Sequence, residues 1–542
     1  MLERLRFQDY NSRMQFLVSL LLFFCLNVAS ASNIAIIDTG FDLDHDFLKP
    51  KILKHESDEE LFSDWNFHDN QHLKEPVIKD QSLLQEIFLY RNLRAKKHQD
   101  GLSVAELEWF QRRDNDKNFI EQVKKFKKHS HGTFVAGIAL REGENIKIFP
   151  LRGIQIAQQA TMPQTKELAN KNPEEQFKDN VTSSQNRVIR KFSKICLYLS
   201  LNDINIVNAS YGISFKSITT KLREKYKEFT GLEIEEQRLK LVVDEYFQNI
   251  LKRSTEIIQK YPRILFVFSA GNSGQDNDLS PHYPSKIKLP NTLSVAAMNG
   301  DYLASFSNFG KIHVDTGAPG VAILSFVPKV YSHDGQNLYS PSSGTSMAAP
   351  YISNTAAQIL NINPLLSPHE IKQIILETGD AKEHLKMNLV SGSMVNNETA
   401  IKAALLTKTM PLAASIELAR SGLIPMEDSI SFGHPLAKEA ELLKNKVLDS
   451  IPKDISAQEL QEIQVTSEES SLPQELKINI PDNLILLPSV APSVQKLDVD
   501  PTPANQNQEQ FPQPSEAQGS SSSQASPQLL QNPPSMHAPS SP

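Results

Sequence analysis

Between Asn33 and Leu406, short apolar runs alternate with stretches of helical spacing. Ile34-Ala35-Ile36-Ile37 is apolar without a break, as a strand buried on both faces should be. Ile264-Leu265-Phe266-Val267-Phe268 has the same character. Ile146-Lys147-Ile148-Phe149 and Ile204-Asn205-Ile206-Val207 are each interrupted by a polar residue, and Thr292-Leu293-Ser294-Val295-Ala296 is a further strand candidate. Amphipathic helices are predicted at Arg187–Ser200 and Leu239–Lys260, and helical pattern returns at Ser346–Leu360, Pro368–Thr378 and Asn397–Leu406. Strands and helices in alternation predict an α/β fold, a parallel sheet with helices on both faces.

Two stretches interrupt this plan. Residues 50–128 are long and charged, and residues 155–184 are rich in Gln, Asn, Lys and Thr. Both are expected to be surface insertions with some helix. The pattern fades after Leu406. Residues 407–451 are expected to form a short helical extension, and residues 452–542, acidic and then rich in Pro, Gln and Ser, a disordered tail. At the other end, Arg4, Arg6 and Arg13 precede an apolar run from Phe16 to Val28, and Ala29-Ser30-Ala31 offers small residues at a cleavage position. Residues 1–31 therefore read as an export signal removed after Ala31, which leaves 32–406 as the folded domain. The run is short against the ~20 residues of a bilayer span, so no stable membrane anchor is expected.

Composition narrows the function. A net charge of −7 spread over 542 residues argues against a dedicated nucleic-acid binder. The only cysteines are Cys25 and Cys196, too few for a disulfide framework or a thiolate zinc site.

Four segments carry candidate chemistry. Ile36-Ile37-Asp38-Thr39-Gly40 places a carboxylate at the C-terminal end of a buried strand, where open α/β sheets put functional groups. His131-Gly132-Thr133-Phe134-Val135-Ala136-Gly137 sets small residues after a histidine, as a tightly packed helix with the imidazole near its N-terminus would. Ser269-Ala270-Gly271-Asn272-Ser273-Gly274 offers a side-chain amide just past another strand. Gly344-Thr345-Ser346-Met347-Ala348-Ala349-Pro350 puts a serine where a loop meets a helix N-terminus, which favours negative charge at an attacked carbonyl. A serine hydroxyl needs a base, and the base needs an orienting group. His131 suits Ser346 as base, Asp38 suits His131 as orienter, and Asn272 can donate to an oxyanion beside the Ser346 N–H.

In order, flanking residues and placement, these segments resemble the subtilisin-like serine proteases, peptidase family S8. Asn208-Ala209-Ser210-Tyr211-Gly212 is similar to the family strand that binds the substrate backbone, and Ala304–Gly310 and Ala318-Pro319-Gly320 are similar to two further family blocks. The resemblance covers about Asn33 to Leu406. It implies a subtilisin-like sheet and a serine endopeptidase with Asp38, His131 and Ser346 as catalytic residues. Asn272 and Ser346 would form the oxyanion hole, and Ser210, Tyr211, Gly212, Ala270 and Gly271 would contact the substrate. The partners implied are protein or peptide substrates, taken by a monomer that is secreted, periplasmic or at the cell surface.

Two rival readings use the same residues. Asp315-Thr316-Gly317 repeats Asp38-Thr39-Gly40, as an aspartic protease with two carboxylates sharing a proton would require. That reading leaves the His131 and Ser346 segments unexplained. A non-catalytic peptide binder on the same fold would not need the complete Asp, His and Ser set. The sequence also departs from the family. No propeptide is visible before Asp38, and Phe134 stands where relatives often have a second histidine. Asp42, Asp44 and Asp46 are acidic, but a calcium set needs about six to eight oxygens and no complete set can be assembled, so no cofactor is expected, with calcium as the alternative. Asp276 and Asp278 are candidates to attract a basic substrate residue, with solvent as the simpler alternative. His45 matches a recurrent family histidine and is expected to be structural.

Overall fold

The computed structural model describes residues 32–53, 76–99, 101–153, 171–332 and 338–422. The expected leader over 1–31, the expected tail over 452–542 and most of the expected extension over 407–451 lie outside these residues.

The strands are β1 (Ser32–Asp38), β2 (Ile146–Arg152), β3 (Ile206–Ala209), β4 (Ile213–Ser214), β5 (Leu265–Ser269), β6 (His282–Tyr283), β7 (Thr292–Asn299), β8 (Tyr302–Leu303), β9 (Thr316–Pro319), β10 (Ile323–Val327), β11 (Leu338–Ser342), β12 (Asp380–Ala381) and β13 (Ser393–Met394). The helices are α1 (Gln81–Gln99), α2 (Val104–Asp114), α3 (Lys117–Ala139), α4 (Pro173–Ser200), α5 (Phe215–Thr230), α6 (Glu236–Ile258), α7 (Thr345–Ile362), α8 (Pro368–Glu377), α9 (Asn397–Leu406) and α10 (Leu412–Arg420). Among the described residues one large sheet runs in the order β12-β13-β9-β7-β5-β3-β1-β2, with β8 antiparallel on β7. From β2 to β13 its neighbours are parallel. The β10–β11 hairpin and the β4–β6 pair stand apart from it.

The unbroken apolar run of β1 is buried on both sides, and its residues divide by parity. Ile34 and Ile36 enter a core shared with α3 and α7, while Ala35 and Ile37 enter a second core shared with α4 and α6. Each buried isoleucine contributes ~1.5–3 kcal/mol. The chain winds to one side of β1 to make β2 and to the other to make β3. Ligands of such sheets sit outside the carboxyl ends of the strands at that reversal, which is where Asp38 and Ser210 emerge.

The structure corrects two expectations. His131 does not stand near a helix start; it lies well inside α3, which is capped by Asp116 accepting from the N–H groups of Asn118 and Phe119. Phe119, Val123 and Phe126 carry an apolar stripe through the charged residues before His131, so the helix runs on unbroken. Residues 50–128 are not a surface appendage throughout. Ile87 and Tyr90 of α1, Phe110 of α2 and Phe126 of α3 are buried in the same core as Ile34. Buried Arg91 donates to Ser340 Oγ at 2.8 Å and Pro341 O at 2.9 Å, bracing β11 just before Ser346. The Gln-rich stretch 155–184 ends as the first turns of α4, where Asn172 forms a capping box with Glu175.

Candidate active site

Asp38 ends β1 fully buried. His131 Nδ1 donates to both of its oxygens, at 2.7 Å to Oδ1 and 2.9 Å to Oδ2. Thr39 adds its N–H to Oδ1 at 2.7 Å and its hydroxyl at 3.2 Å. With Nδ1 donating, the neutral ring keeps its lone pair on Nε2. The approach of α3 to β1 that makes this contact depends on one glycine. A Cβ on Gly132 would lie 2.2 Å from Gly40 O, so only glycine lets the helix sit this close to the turn after Asp38.

Ser346 lies in the first turn of α7, after Gly344. Its hydroxyl donates to Ser210 O at 3.2 Å, and among the described residues no hydrogen bond joins it to His131. Its carbonyl would meet the N–H of residue 350 in a regular helix. Pro350 has none, and Ser210 Oγ supplies the donor at 2.9 Å instead. The proline of the motif thus frees an acceptor that ties α7 to the segment after β3.

Asn272 follows β5 and is exposed. Its Oδ1 accepts from the Thr345 N–H at 2.8 Å and the Thr345 hydroxyl at 3.2 Å. That fixes which end of the amide faces Thr345, and among the described residues Nδ2 makes no hydrogen bond. Thr345 was missed at the sequence level, although its place before Ser346 in the motif is the available signal.

The expected substrate contacts divide. Ser210 lies beside Ser346, half-buried Tyr211 and exposed Gly212 follow it, and β4 begins at Ile213. Ala270 is fully buried, with its N–H given to Val295 O at 2.9 Å and its carbonyl taken by Asn277 Nδ2 at 2.9 Å. Gly271 gives its N–H to Thr345 Oγ1 at 3.1 Å. The backbone N–H groups of Ala270 and Gly271 are therefore already engaged within the protein.

The other candidates are occupied elsewhere. Asp315 precedes β9, which β7, β5 and β3 separate from β1, the strand that Asp38 ends. It pairs with Lys372 at 2.9 Å, so the second Asp-Thr-Gly cannot share a proton with the first. Asp278 accepts from His313 Nδ1 at 2.8 Å and from two backbone N–H groups, and Asp276 accepts from the Asp278 N–H at 2.8 Å. Asp42 caps the Lys329 N–H at 2.8 Å, Asp44 pairs with Lys49 at 3.2 Å and Asp46 with Lys329 at 3.0 Å. His45 is buried against Phe326, 4.6 Å between ring centres, and burial holds its pKa below the ordinary value. Cys196 is buried, and burial pushes its thiol up, away from reactivity.

A family model described as the Subtilase family matches residues 30–397. Among curated relatives, the serine protease AprX of Bacillus subtilis is 34% identical over 155 residues, 26% of this chain and 35% of that protein. The extracellular basic protease of Dichelobacter nodosus is 35% identical over 148 residues, 26% of this chain and 23% of that protein. Subtilisin-like protease 2 of Plasmodium falciparum is 32% identical over 147 residues, 26% of this chain and 10% of that protein. These matches span 35% or less of each relative's own length. Among the described residues, no helix is long and apolar enough to cross a membrane.

Proposed function

Because the chain belongs to the Subtilase family, we propose that it is an exported serine endopeptidase in which Ser346 is the nucleophile, His131 the general base and Asp38 the orienting carboxylate. The observation that carries this reading is the buried Asp38 carboxylate receiving His131 Nδ1 through both oxygens, at 2.7 and 2.9 Å. It presents Nε2 as the basic nitrogen on the side of the helix that meets the sheet's carboxyl edge.

In the proposed reaction a peptide lies extended beside Ser210–Gly212, adding a strand by main-chain hydrogen bonds. The Ser346 hydroxyl turns from Ser210 O to His131 Nε2 and attacks the scissile carbonyl while Nε2 takes its proton. Asp38 stabilises the imidazolium. The oxyanion receives the Asn272 amide and the Ser346 N–H at the positive end of α7. Collapse of the tetrahedral adduct breaks the C–N bond, and His131 returns the proton to the leaving amine. Water then repeats the cycle on the acyl-enzyme. The scheme draws on no cofactor, and it needs one copy of the chain.

The test is labelling of the purified chain with a fluorophosphonate probe, beside Ser346→Ala. Labelling that vanishes in the variant is expected. A folded wild-type chain that neither labels nor cleaves casein would sink the proposal. Export rests on the residue pattern of 1–31, and is checked by sequencing the N-terminus of the protein recovered outside the cytoplasm. A mature start at Ser32 is expected, and protein retained inside with Met1 intact would overturn it.

A further inference from the structure

Arg91 of α1 is 8% exposed, and among the described residues no carboxylate offsets its charge. Its guanidinium donates to two neutral acceptors, Ser340 Oγ at 2.8 Å and Pro341 O at 2.9 Å, and lies 5.3 Å from the centre of the Phe126 ring on α3. The rest of its N–H donors make no hydrogen bond among the described residues. A guanidinium stays charged at neutral pH, so burying one without a counter-charge is costly until an anion reaches it.

Two further cations crowd this one. Arg94 lies three residues on, along the same face of α1, and Lys127 follows Phe126 on α3. Both are exposed. Burial, and then the Arg94 charge, lowers the Arg91 pKa, and both guanidinium charges repel the Lys127 ammonium. The nearby carboxylates are engaged elsewhere: Glu86 with Arg113, Glu106 with Lys96 at 2.9 Å, and Asp114 with the Tyr90 hydroxyl at 2.5 Å. Residues 76–128 hold 12 Lys and Arg against 8 Asp and Glu, in a chain whose net charge is −7. The cluster is therefore a positive site on an acidic protein, with a buried guanidinium at its base.

The fold ties this site to the reacting groups. Arg91 grips β11, which runs into the Ser346 segment. Lys127 stands one turn before His131 on the same face of α3, ~6 Å along the helix axis. An extended peptide covers ~3.3 Å per residue, so a side chain a few residues from a bond held at Ser346 can reach the cluster.

We propose that Arg91, Arg94 and Lys127 form an anion site for acidic protein substrates, engaged by Asp or Glu residues a few positions from the cleaved bond. A carboxylate seated there takes charge-assisted bonds from the open donors of Arg91 and relieves the repulsion among three cations. The acidic chain is then held beside Ser346 and His131 by elements that also carry them. This rests on the peptidase reading given above, and it adds to it a substrate class.

The test first measures binding without turnover, on the full chain carrying Ser346→Ala. The readout is the fluorescence anisotropy of a dye-labelled peptide rich in Asp and Glu, beside its Asn and Gln counterpart. The acidic peptide is expected to bind at least about tenfold tighter, by an advantage that shrinks as salt rises. Arg94→Gln with Lys127→Gln should bring the two peptides within about twofold. Arg94→Glu with Lys127→Glu should make a lysine-rich peptide the tighter ligand. Thermal unfolding checks that each variant is folded, and Arg91 is kept because it braces β11. Cleavable versions of the two peptides, turned over by the wild-type chain, should differ mainly in KM. Equal affinities at low salt, or an acidic preference that survives the charge reversal, overturn the site. Inorganic phosphate that binds the cluster while the acidic peptide gains nothing overturns the substrate assignment in favour of a small anion. Acidic peptide that binds as expected to a wild-type chain that neither labels with fluorophosphonate nor cleaves overturns the peptidase reading and keeps the anion site.

Discussion

Ser210 Oγ donates to the Ser346 carbonyl at 2.9 Å, an acceptor left open because Pro350 has no N–H to offer it. The same hydroxyl accepts from Asn208 Nδ2 at 2.9 Å, and Ser353 Oγ donates to Asn208 Oδ1 at 3.0 Å. A buried polar chain thus joins β3 to α7 beneath the nucleophile. Ser210→Ala leaves the Ser346 carbonyl and the Asn208 amide unmatched, at a cost of ~1–3 kcal/mol. Thermal unfolding should shift down by about 2–8 °C, and the Ser346 probe should react more slowly. A variant with wild-type melting and labelling would show that the bond does not position the serine.

Asp38 holds His131 in one tautomer, so its charge and its geometry can be separated. Asp38→Asn keeps the shape of the side chain but presents a donor where His131 Nδ1–H now donates. The ring is then pressed toward the tautomer with Nε2 protonated, which cannot accept the Ser346 proton. A fall in kcat of ~10³–10⁴ is expected with the fold retained. Steady-state kinetics beside circular dichroism checks this, and a loss below tenfold would remove Asp38 from the proposed role.

Among the described residues, Asn272 is held by Thr345 through Oδ1, at 2.8 and 3.2 Å. Asn272→Ala removes the free Nδ2 donor, and kcat should fall by ~10²–10³ with KM within a few-fold. Thr345→Val keeps Asn272 but removes the hydroxyl that helps orient it and that receives the Gly271 N–H at 3.1 Å. A smaller loss in kcat is expected there. Equal losses in the two variants would mean that Asn272 acts only by fixing the α7 N-terminus.

The site was legible where chemistry dictates local sequence. The Asp38, His131, Asn272 and Ser346 segments each pair a reactive side chain with the small residues that its placement demands, and Gly132 against Gly40 shows why. The central strands were legible because a sheet covered on both faces leaves unbroken apolar runs such as Ile34–Ile37. What escaped was set by tertiary packing. The residues before His131 read as a charged insertion because lysines crowd the exposed face of α3, while Phe119, Val123 and Phe126 bury the other. Helix α5, at Phe215–Thr230, went unread because only Ile218, Leu222 and Tyr226 are buried along a largely polar stretch. The pairing of Asp278 with His313 and of Asp315 with Lys372 joins distant segments, and no local pattern announces either.

Gly132 tests whether close packing aligns the pair. Gly132→Ala places a Cβ 2.2 Å from a backbone oxygen, which cannot swing aside. The helix must move away from the turn after Asp38, stretching the His131–Asp38 contact. Overpacking of this kind costs ~1–3 kcal/mol, and activity should fall further than stability alone explains. Gly137→Ala is the control. Its Cβ would meet Ser325 Oγ at 2.3 Å and the Phe326 ring at 2.6 Å, away from the pair, so stability should drop with little effect on turnover by the folded fraction. Turnover reduced equally by both variants, at matched folded fraction, would refute the alignment argument.

Acid should destabilise the fold through His282. Burial lowers its pKa from the ordinary 6.5 to about 4 in the folded chain, while in the unfolded chain it titrates near its ordinary value. Between those two values the unfolded state binds a proton that the folded state does not. Stability therefore falls as pH drops from about 6.5 toward about 4, by up to ~3 kcal/mol. It is unaffected by this group above pH 7. Buried His45 has its pKa lowered as well and adds a loss of the same sign. The measurement is urea unfolding from pH 7.5 to 4.5 in a Ser346→Ala background, which prevents self-digestion, with and without His282→Gln. The glutamine does not titrate, so its curve should keep the His45 slope and lose the larger one. Parallel curves for the two proteins would show that His282 is already protonated, or exposed, in the folded chain.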